Sequence, residues 1–129
     1  MRFLMLYKPA DTARIEAGIP PSPEEFARMT KLVEDGFKSG ALLATEGCHP
    51  SSKGARVRRS GGQVTVTDGP FTESKELVAG FAIVRASSKE DAIEQARVFL
   101  DVAGDGVSEI LQLHEASDFA AEFGASARQ

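Results

Sequence analysis

Residues 2–8, Arg2-Phe3-Leu4-Met5-Leu6-Tyr7-Lys8, read as a β-strand with apolar side chains at both parities: Phe3, Met5 and Tyr7 on one, Leu4 and Leu6 on the other. A strand that is apolar on both faces has to be covered on both faces. The helix that follows in sequence can cover only one of them. The pattern of residues 2–8 therefore asks for a layered fold and for something further on the second face.

Ser22-Pro23-Glu24-Glu25 gives the start of that helix. Ser22 is placed to cap, Pro23 suits the first helical position, and Glu25 completes a capping box. Phe26, Met29, Val33 and Phe37 follow at helical spacing with Leu32 beside them, and Gly40 is the stop. Residues 9–20 read as a polar connecting loop. A short strand is expected over 41–46, followed by an irregular segment, 47–54. Arg56-Val57-Arg58 and Val64-Thr65-Val66-Thr67 alternate polar with apolar residues around Gly61-Gly62, which predicts a β-hairpin with one solvated face. Residues 80–85 read as a strand centred on Phe81, Ile83 and Val84. Ser87 or Ser88 caps a second helix, with Glu90 or Asp91 three residues on. Its apolar face is Ala92, Ile93, Ala96, Phe99, Leu100 and Ala103, and Gly104 ends it. A last strand is expected at about 108–114, then a short helix through Phe119 and Phe123.

The order strand, helix, strand, hairpin, strand, helix, strand predicts a ferredoxin-like α+β sandwich, an antiparallel sheet with both helices on one face. No internal repeat or linker divides the chain. Residues 1–115 are expected to form one domain and residues 116–129 a short C-terminal helix with a flexible tail. The free sheet face, apolar by the pattern of the first strand, is most economically covered by a second copy, so a homodimer is expected.

Composition narrows the function. The 129 residues carry 15 Lys and Arg against 19 Asp and Glu, a formal net charge of −4, with 42% apolar residues. That balance argues against a generally basic nucleic-acid binder. Cys48 is the single cysteine, so no intrachain disulfide can form. The N-terminal apolar run is too short for a signal peptide, and no stretch approaches the roughly 18 apolar residues of a membrane span. A cytoplasmic protein without membrane association is the expectation.

Three groups of residues could carry chemistry. In Asp68-Gly69-Pro70 an acid able to bond its own backbone, a permissive glycine and a proline make a sharp turn, with Phe71 expected to plug the core. Asp68, Glu73 and Glu76 could supply acid/base or metal-ligand oxygens and Lys75 an anion contact. The competing reading is a structural corner with solvated charges beyond it. Cys48-His49 pairs a nucleophile with a base, but sequence neighbours seldom aim at one another, and Pro50 follows in a loop-like stretch. Lys53, Arg56, Arg58 and Arg59 form a basic cluster. It either protects an edge strand from aggregation or meets a phosphate or carboxylate. No aromatic residues are interleaved with it to stack bases, and Ser60-Gly61-Gly62 turns a hairpin rather than opening a phosphate-binding helix. Two histidines and one cysteine without recognised spacing do not make a zinc site, so neither metal nor cofactor is expected. If a ligand binds, the expected contacts are Asp68, Glu73, Lys75 and Glu76, helped by Arg56 and His49.

The run Asp68-Gly69-Pro70-Phe71-Thr72-Glu73-Ser74-Lys75-Glu76, then Gly80-Phe81, resembles the signature of the DGPF branch of the YCII-related family. The Ser-Pro-Glu-Glu helix start and the Glu46-Gly47 turn fit as well, and the resemblance runs from about Arg2 to His114. It implies a dimeric α/β barrel in which two ferredoxin-like protomers pack sheet to sheet. It also implies an association with extracytoplasmic-function sigma factors that many members share. YCII proteins proper carry a His early in the first helix and an acid nearby as a proposed catalytic pair. Glu25 stands at the His position here, with Glu34 or Asp35 near the acid, so that chemistry does not carry over. Two functions stay open: a small-molecule-binding or weakly enzymatic barrel, and a non-catalytic interaction module serving sigma-factor regulation.

Overall fold

A computed structural model describes residues 1–70 and 76–123. Four strands, β1 (Arg2–Pro9), β2 (Leu42–Gly47), β5 (Gly80–Arg85) and β6 (Gly106–Gln112), form one sheet in the order β2-β5-β1-β6. Every neighbouring pair is antiparallel. A separate two-stranded sheet is made by β3 (Ala55–Ser60) and β4 (Gln63–Asp68). The helices are α1 (Thr12–Glu16), α2 (Pro23–Ser39), α3 (Lys89–Ala103) and α4 (Ala116–Phe123). The strand order and the two crossovers through α2 and α3 are those of a ferredoxin-like α+β sandwich.

Register explains the two parities of β1. Phe3 pairs with Val84, and Met5 with Ala82 and Ile110. This set faces the helices and forms the core with Ala86, Ala92 and Ala96. Phe3 is 2% exposed and Ala92 fully buried. Leu4 pairs with Ile83 and Leu111, and Leu6 with Phe81, on the opposite face. Leu111 and Val107 are exposed there, so in the single chain that face is an open apolar surface.

Both long helices start as their sequences demand. Ser22 Oγ accepts from the Glu25 N–H, and the Glu25 carboxylate accepts from the Ser22 N–H, each at 3.1 Å. Gly40 closes α2 at φ 82°, the left-handed region that glycine enters without strain. Ser88, rather than Ser87, caps α3 by accepting from the Asp91 N–H, while Asp91 reaches back to the Ser87 N–H.

The structure corrects four expectations. The 9–20 connection contains helix α1, capped by the Asp11 side chain accepting from the Arg14 N–H. The last strand runs over Gly106–Gln112, two residues earlier than expected, because its register is fixed by pairing with β1 rather than by its own apolar residues. The hairpin has both faces exposed: all residues of β3 and β4 are exposed, with Val57 and Val66 paired on one side. Finally, α2 buries no residue of its apolar stripe completely: Met29, Leu32 and Val33 are half-buried, and Phe26 at its start is 64% exposed. The expected core role of Phe71 and the tail 124–129 lie outside the described residues.

Candidate functional site

One end of the sheet opens into a cleft of about 480 Å³, lined by residues from four stretches of chain: Glu16, Cys48–Gly54, Arg56 and Glu76–Val78. Each stretch is held there by a specific contact. Glu16 ends α1, and its carboxylate accepts from the Ser51 N–H at 2.8 Å and from the Ser51 hydroxyl. Those two bonds, the hydroxyl first, hold the Glu16 carboxyl below the usual carboxylate range. Ser51 itself is buried and opens a single 3₁₀ turn, Ser51–Lys53, whose Gly54 N–H returns to the Ser51 carbonyl at 2.9 Å. The cleft is thus floored by a turn that an acid from a different element has locked.

The opposite wall is residues 76–79. Ala79 donates to the Tyr7 carbonyl and accepts from the Cys48 N–H, both at 2.8 Å, so the segment bridges the ends of β1 and β2. Lys8, on the open face at the end of β1, donates to Glu76 at 2.9 Å and to Glu109 at 3.1 Å. The hydrogen bond from Lys8 and then its charge lower the Glu76 pKa, and the two acids together raise that of Lys8. Glu76 is largely exposed, so the pair fixes the orientation of the segment more than it adds stability.

The DGP corner explains its own glycine. The Gly69 N–H donates to the Gly54 carbonyl at 3.0 Å, and the Gly69–Pro70 peptide is cis. A Cβ on Gly69 would lie 1.6 Å from the Ser51 carbonyl oxygen, inside any possible contact. Residue 69 is therefore glycine because two backbones cross there, and the crossing presses the end of β4 onto the turn that floors the cleft.

Of the six residues expected to bind a ligand, His49, Arg56 and Glu76 line this cleft. Asp68 is exposed at the end of β4, opposite Ala55, and does not line it. Glu73 and Lys75 lie outside the described residues. Sequence reasoning missed Glu16, Ser51 and Lys8. The Asp11 cap was a signal for α1 and so for Glu16; nothing in the sequence pairs Glu16 with Ser51, 35 positions apart.

The chemistry on offer is recognition by complementary charge. Two carboxylates, both held ionised, present acceptors, while Lys53 and Arg56 present cationic donors to the same space, with His49 between those roles. Among the described residues no three of His, Cys, Asp and Glu are grouped to hold a metal ion. Cys48 is a free, exposed thiol. Among the described residues, too, no helix is long and apolar enough to cross a membrane.

A ferredoxin-like sandwich with a cleft at one sheet end, lined in part by charged side chains, defines the class. The chain belongs to the YCII-related family, whose model matches residues 1–119. It is 40% identical over 48 residues to an uncharacterized protein of Rhizobium meliloti (strain 1021), a match that spans 37% of this chain and 39% of that protein's length. Among solved structures it is similar to 5-chloro-2-hydroxyhydroquinone dehydrochlorinase (TftG) from Burkholderia phenoliruptrix AC1100, in complex with 2,5-dihydroxybenzoquinone. The TM-score is 0.50 at 13% identity, covering 92% of this chain and 98% of that one, a likeness of fold.

Proposed function

We propose that the protein is a homodimeric small-molecule-binding barrel whose cleft takes a small hydroxylated acid. The observation that carries this reading is the meeting of opposite charges in one 480 Å³ space: Lys53 and Arg56 suit a ligand carboxylate, and ionised Glu16 and Glu76 accept from ligand hydroxyls. Glu73 and Lys75, which follow the DGP corner in sequence, are further candidate contacts for the ligand in this reading. A protein of the same fold, the dehydrochlorinase, is held in complex with a small polar quinone, in keeping with a ligand of this size.

The dimer forms through the open sheet face. Leu4, Leu6, Phe81 and Ile83, with exposed Val107 and Leu111, supply an apolar patch. Covering it with a second copy should remove about 800 Å² per partner from water, the size of a standard stable interface. Sedimentation at micromolar concentration should show a dimer, and a monomer there would overturn the assembly. Residues 1–115 form the functional unit, with 116–129 an appendage to it.

The test is a calorimetric titration with 3,4-dihydroxybenzoate, with benzoate and catechol as controls lacking the hydroxyls or the acid. The acid with both groups should bind tightest. Glu76→Ala and Arg56→Ala should each weaken it about tenfold or more, the size expected for losing a charge-assisted hydrogen bond. Glu76→Ala should do so at nearly unchanged stability. Equal affinity for benzoate, or variants that bind as well as the parent, would sink the reading. The family's sigma-factor association gives the alternative, an interaction module, and a dimer indifferent to every small acid would favour it.

A further inference from the structure

Two strands have an outer side that pairs with no strand among the described residues and is open to pairing: β6 in the large sheet and β4 in the hairpin. The far edge of the large sheet, β2, is interrupted by a bulge between Leu42 and Ala44, whereas β6 pairs unbroken from Gly106 to Gln112. In the hairpin, β3 is guarded by Arg56, Arg58 and Arg59, while β4 reads Val64-Thr65-Val66-Thr67 with no charge before Asp68. A lone two-stranded hairpin is at best marginally stable in water, so its exposed valines call for a partner.

The two ladders fix what each edge presents. The Leu113 N–H donates to the Arg2 carbonyl, and the Ala10 N–H to the Asp105 carbonyl. By antiparallel alternation Val107, Glu109 and Leu111 turn their backbone groups to β1, and those of Ser108 and Ile110 point outward. The Gly69 to Gly54 bond sets the hairpin likewise: Thr65 and Thr67 bond to β3, and Val64 and Val66 point outward. An antiparallel pairing of β4 with β6 therefore puts Val64 and Val66 on the face of Ile110, and Thr65 and Thr67 on the face of Glu109.

We propose that β4 of one copy adds, antiparallel, to the β6 edge of a second copy, so that a dimer exchanges its hairpins. Each face then meets its complement. Gln95 and Val98 look toward α2, so Ile93 and Leu100 lie on the flank of α3 turned the other way, above β6. Ile93 is exposed and Leu100 and Ile110 are half-buried there, an apolar strip for the valines to cover. On the other face Glu109 shares one ammonium, that of Lys8, with Glu76, which leaves negative charge at the edge. Arg58 opposite Thr65 and Arg56 opposite Thr67 bring cations to that face. Charge also names the occupant. Residues 53–68 hold four cations against one acid, and the rest of the chain holds 11 against 18, so the hairpin suits the body of its own kind. The exchange rests on the homodimer proposed above and extends its sheet-to-sheet contact past the edge. Arg56, at the base of the hairpin, lines the polar cleft, so docking the hairpin steadies one wall of that cleft from the other subunit.

The test uses the full chain in two co-produced copies, each carrying Cys48→Ser and one new cysteine, under mild oxidation. Glu109→Cys in one copy with Thr65→Cys or Thr67→Cys in the other should give a covalent dimer. Facing residues of this kind stand about 4.5 Å apart, within reach of a disulfide. Glu46→Cys, on the opposite edge of the sheet, should link to neither. No link from either hairpin position, an equal link from Glu46→Cys, or a single variant linking to itself overturns the proposal. So does an internal disulfide in a chain carrying both cysteines, which would put the hairpin on its own sheet. Without cysteines, Arg58→Glu should weaken dimerisation about tenfold, and adding Glu109→Arg should restore it. A dimer as tight as the parent's in Arg58→Glu, or no recovery in the double variant, counts against the exchange. Failed links in a parent that sediments as a dimer sink the hairpin exchange alone. A monomeric parent overturns the sheet-face dimer and the exchange together.

Discussion

Helices α2 and α3 lie on the same face of the same sheet and begin with the same serine-acid device, yet they pack by different means. Helix α3 presents Ala92 and Ala96 to the sheet, and both are buried. Helix α2 presents Phe26, Met29, Leu32, Val33 and Phe37, and none is. Small residues let a helix backbone come close to the strands, where Phe3, Met5 and Val84 fill the space. Helix α2 touches the sheet closely at Gly36, and beside its larger residues Met29, Leu32 and Val33 lies a groove rather than a core. An amphipathic helix can thus border a packed layer or a cavity, and the size of its inward side chains bears on which.

The contrast can be broken most forcefully at Ala92. Ala92→Leu adds volume where there is none to take and should destabilise by about 1–3 kcal/mol. Val33→Phe, which adds volume over the groove, should change stability by less than about 0.5 kcal/mol, as substitutions outside a packed core do. Urea unfolding of both variants measures the difference, and equal losses would mean the groove is closed in solution. Next in size are the caps. Ser22→Ala and Ser88→Ala should each cost about 1 kcal/mol, since each removes one acceptor from a helix start. A much smaller loss for Ser22→Ala would show α2 to be only loosely coupled to the rest of the fold.

Acid sharpens the comparison further. The N–H of Ser22, then its side chain, and also Arg14 hold the Glu25 carboxyl below its ordinary range. A carboxyl lowered by folding contributes stability that is fully present above the unfolded value, about 4.3, and lost as pH falls through the lower folded value. The stability gap between the parent and Glu25→Gln should therefore hold constant from neutral pH down to about pH 5 and close below pH 4. A gap that persists to pH 2–3 would locate the effect in packing instead. The smallest effect is expected at Cys48, exposed and unbridged: Cys48→Ser should leave the melting temperature almost unmoved. A large drop there would mean that the thiol is buried in the assembled protein.

The sequence made local structure legible wherever a signal is local. The Ser22 and Ser88 caps, the glycine stops at 40 and 104, and the Gly61-Gly62 turn each depend on residues within four positions of one another. The strand order followed from connectivity, because two β-α-β crossovers with an antiparallel sheet leave few arrangements. What could not be read is spacing between layers. Phe26 and Phe37 carry a core pattern, yet they are 64% and 49% exposed. The cleft was half legible for the same reason. His49, Arg56 and Glu76 stood in stretches already rich in polar chemistry. Glu16 and Lys8 reach the site only through Ser51, Glu76 and Glu109, partners that no sequence spacing announces.

The hydrogen bond between Gly69 and Gly54 has a consequence for how this chain could change over time. The polypeptide enters and leaves the β3–β4 hairpin through a gate only 3.0 Å wide between nitrogen and oxygen. That bond ties the two ends of the hairpin together beside the turn at Ser51. Hairpins of another length or charge could be exchanged at that gate like a cartridge, and the strand register of the scaffold would not feel the swap. The cost of closing a longer insert grows only slowly with its length, by about 0.6 kcal/mol for each doubling. Related chains should accordingly vary most in residues 57–67 and least at the two glycines that form the gate. A graft of a foreign hairpin between them should leave the four-stranded sheet intact.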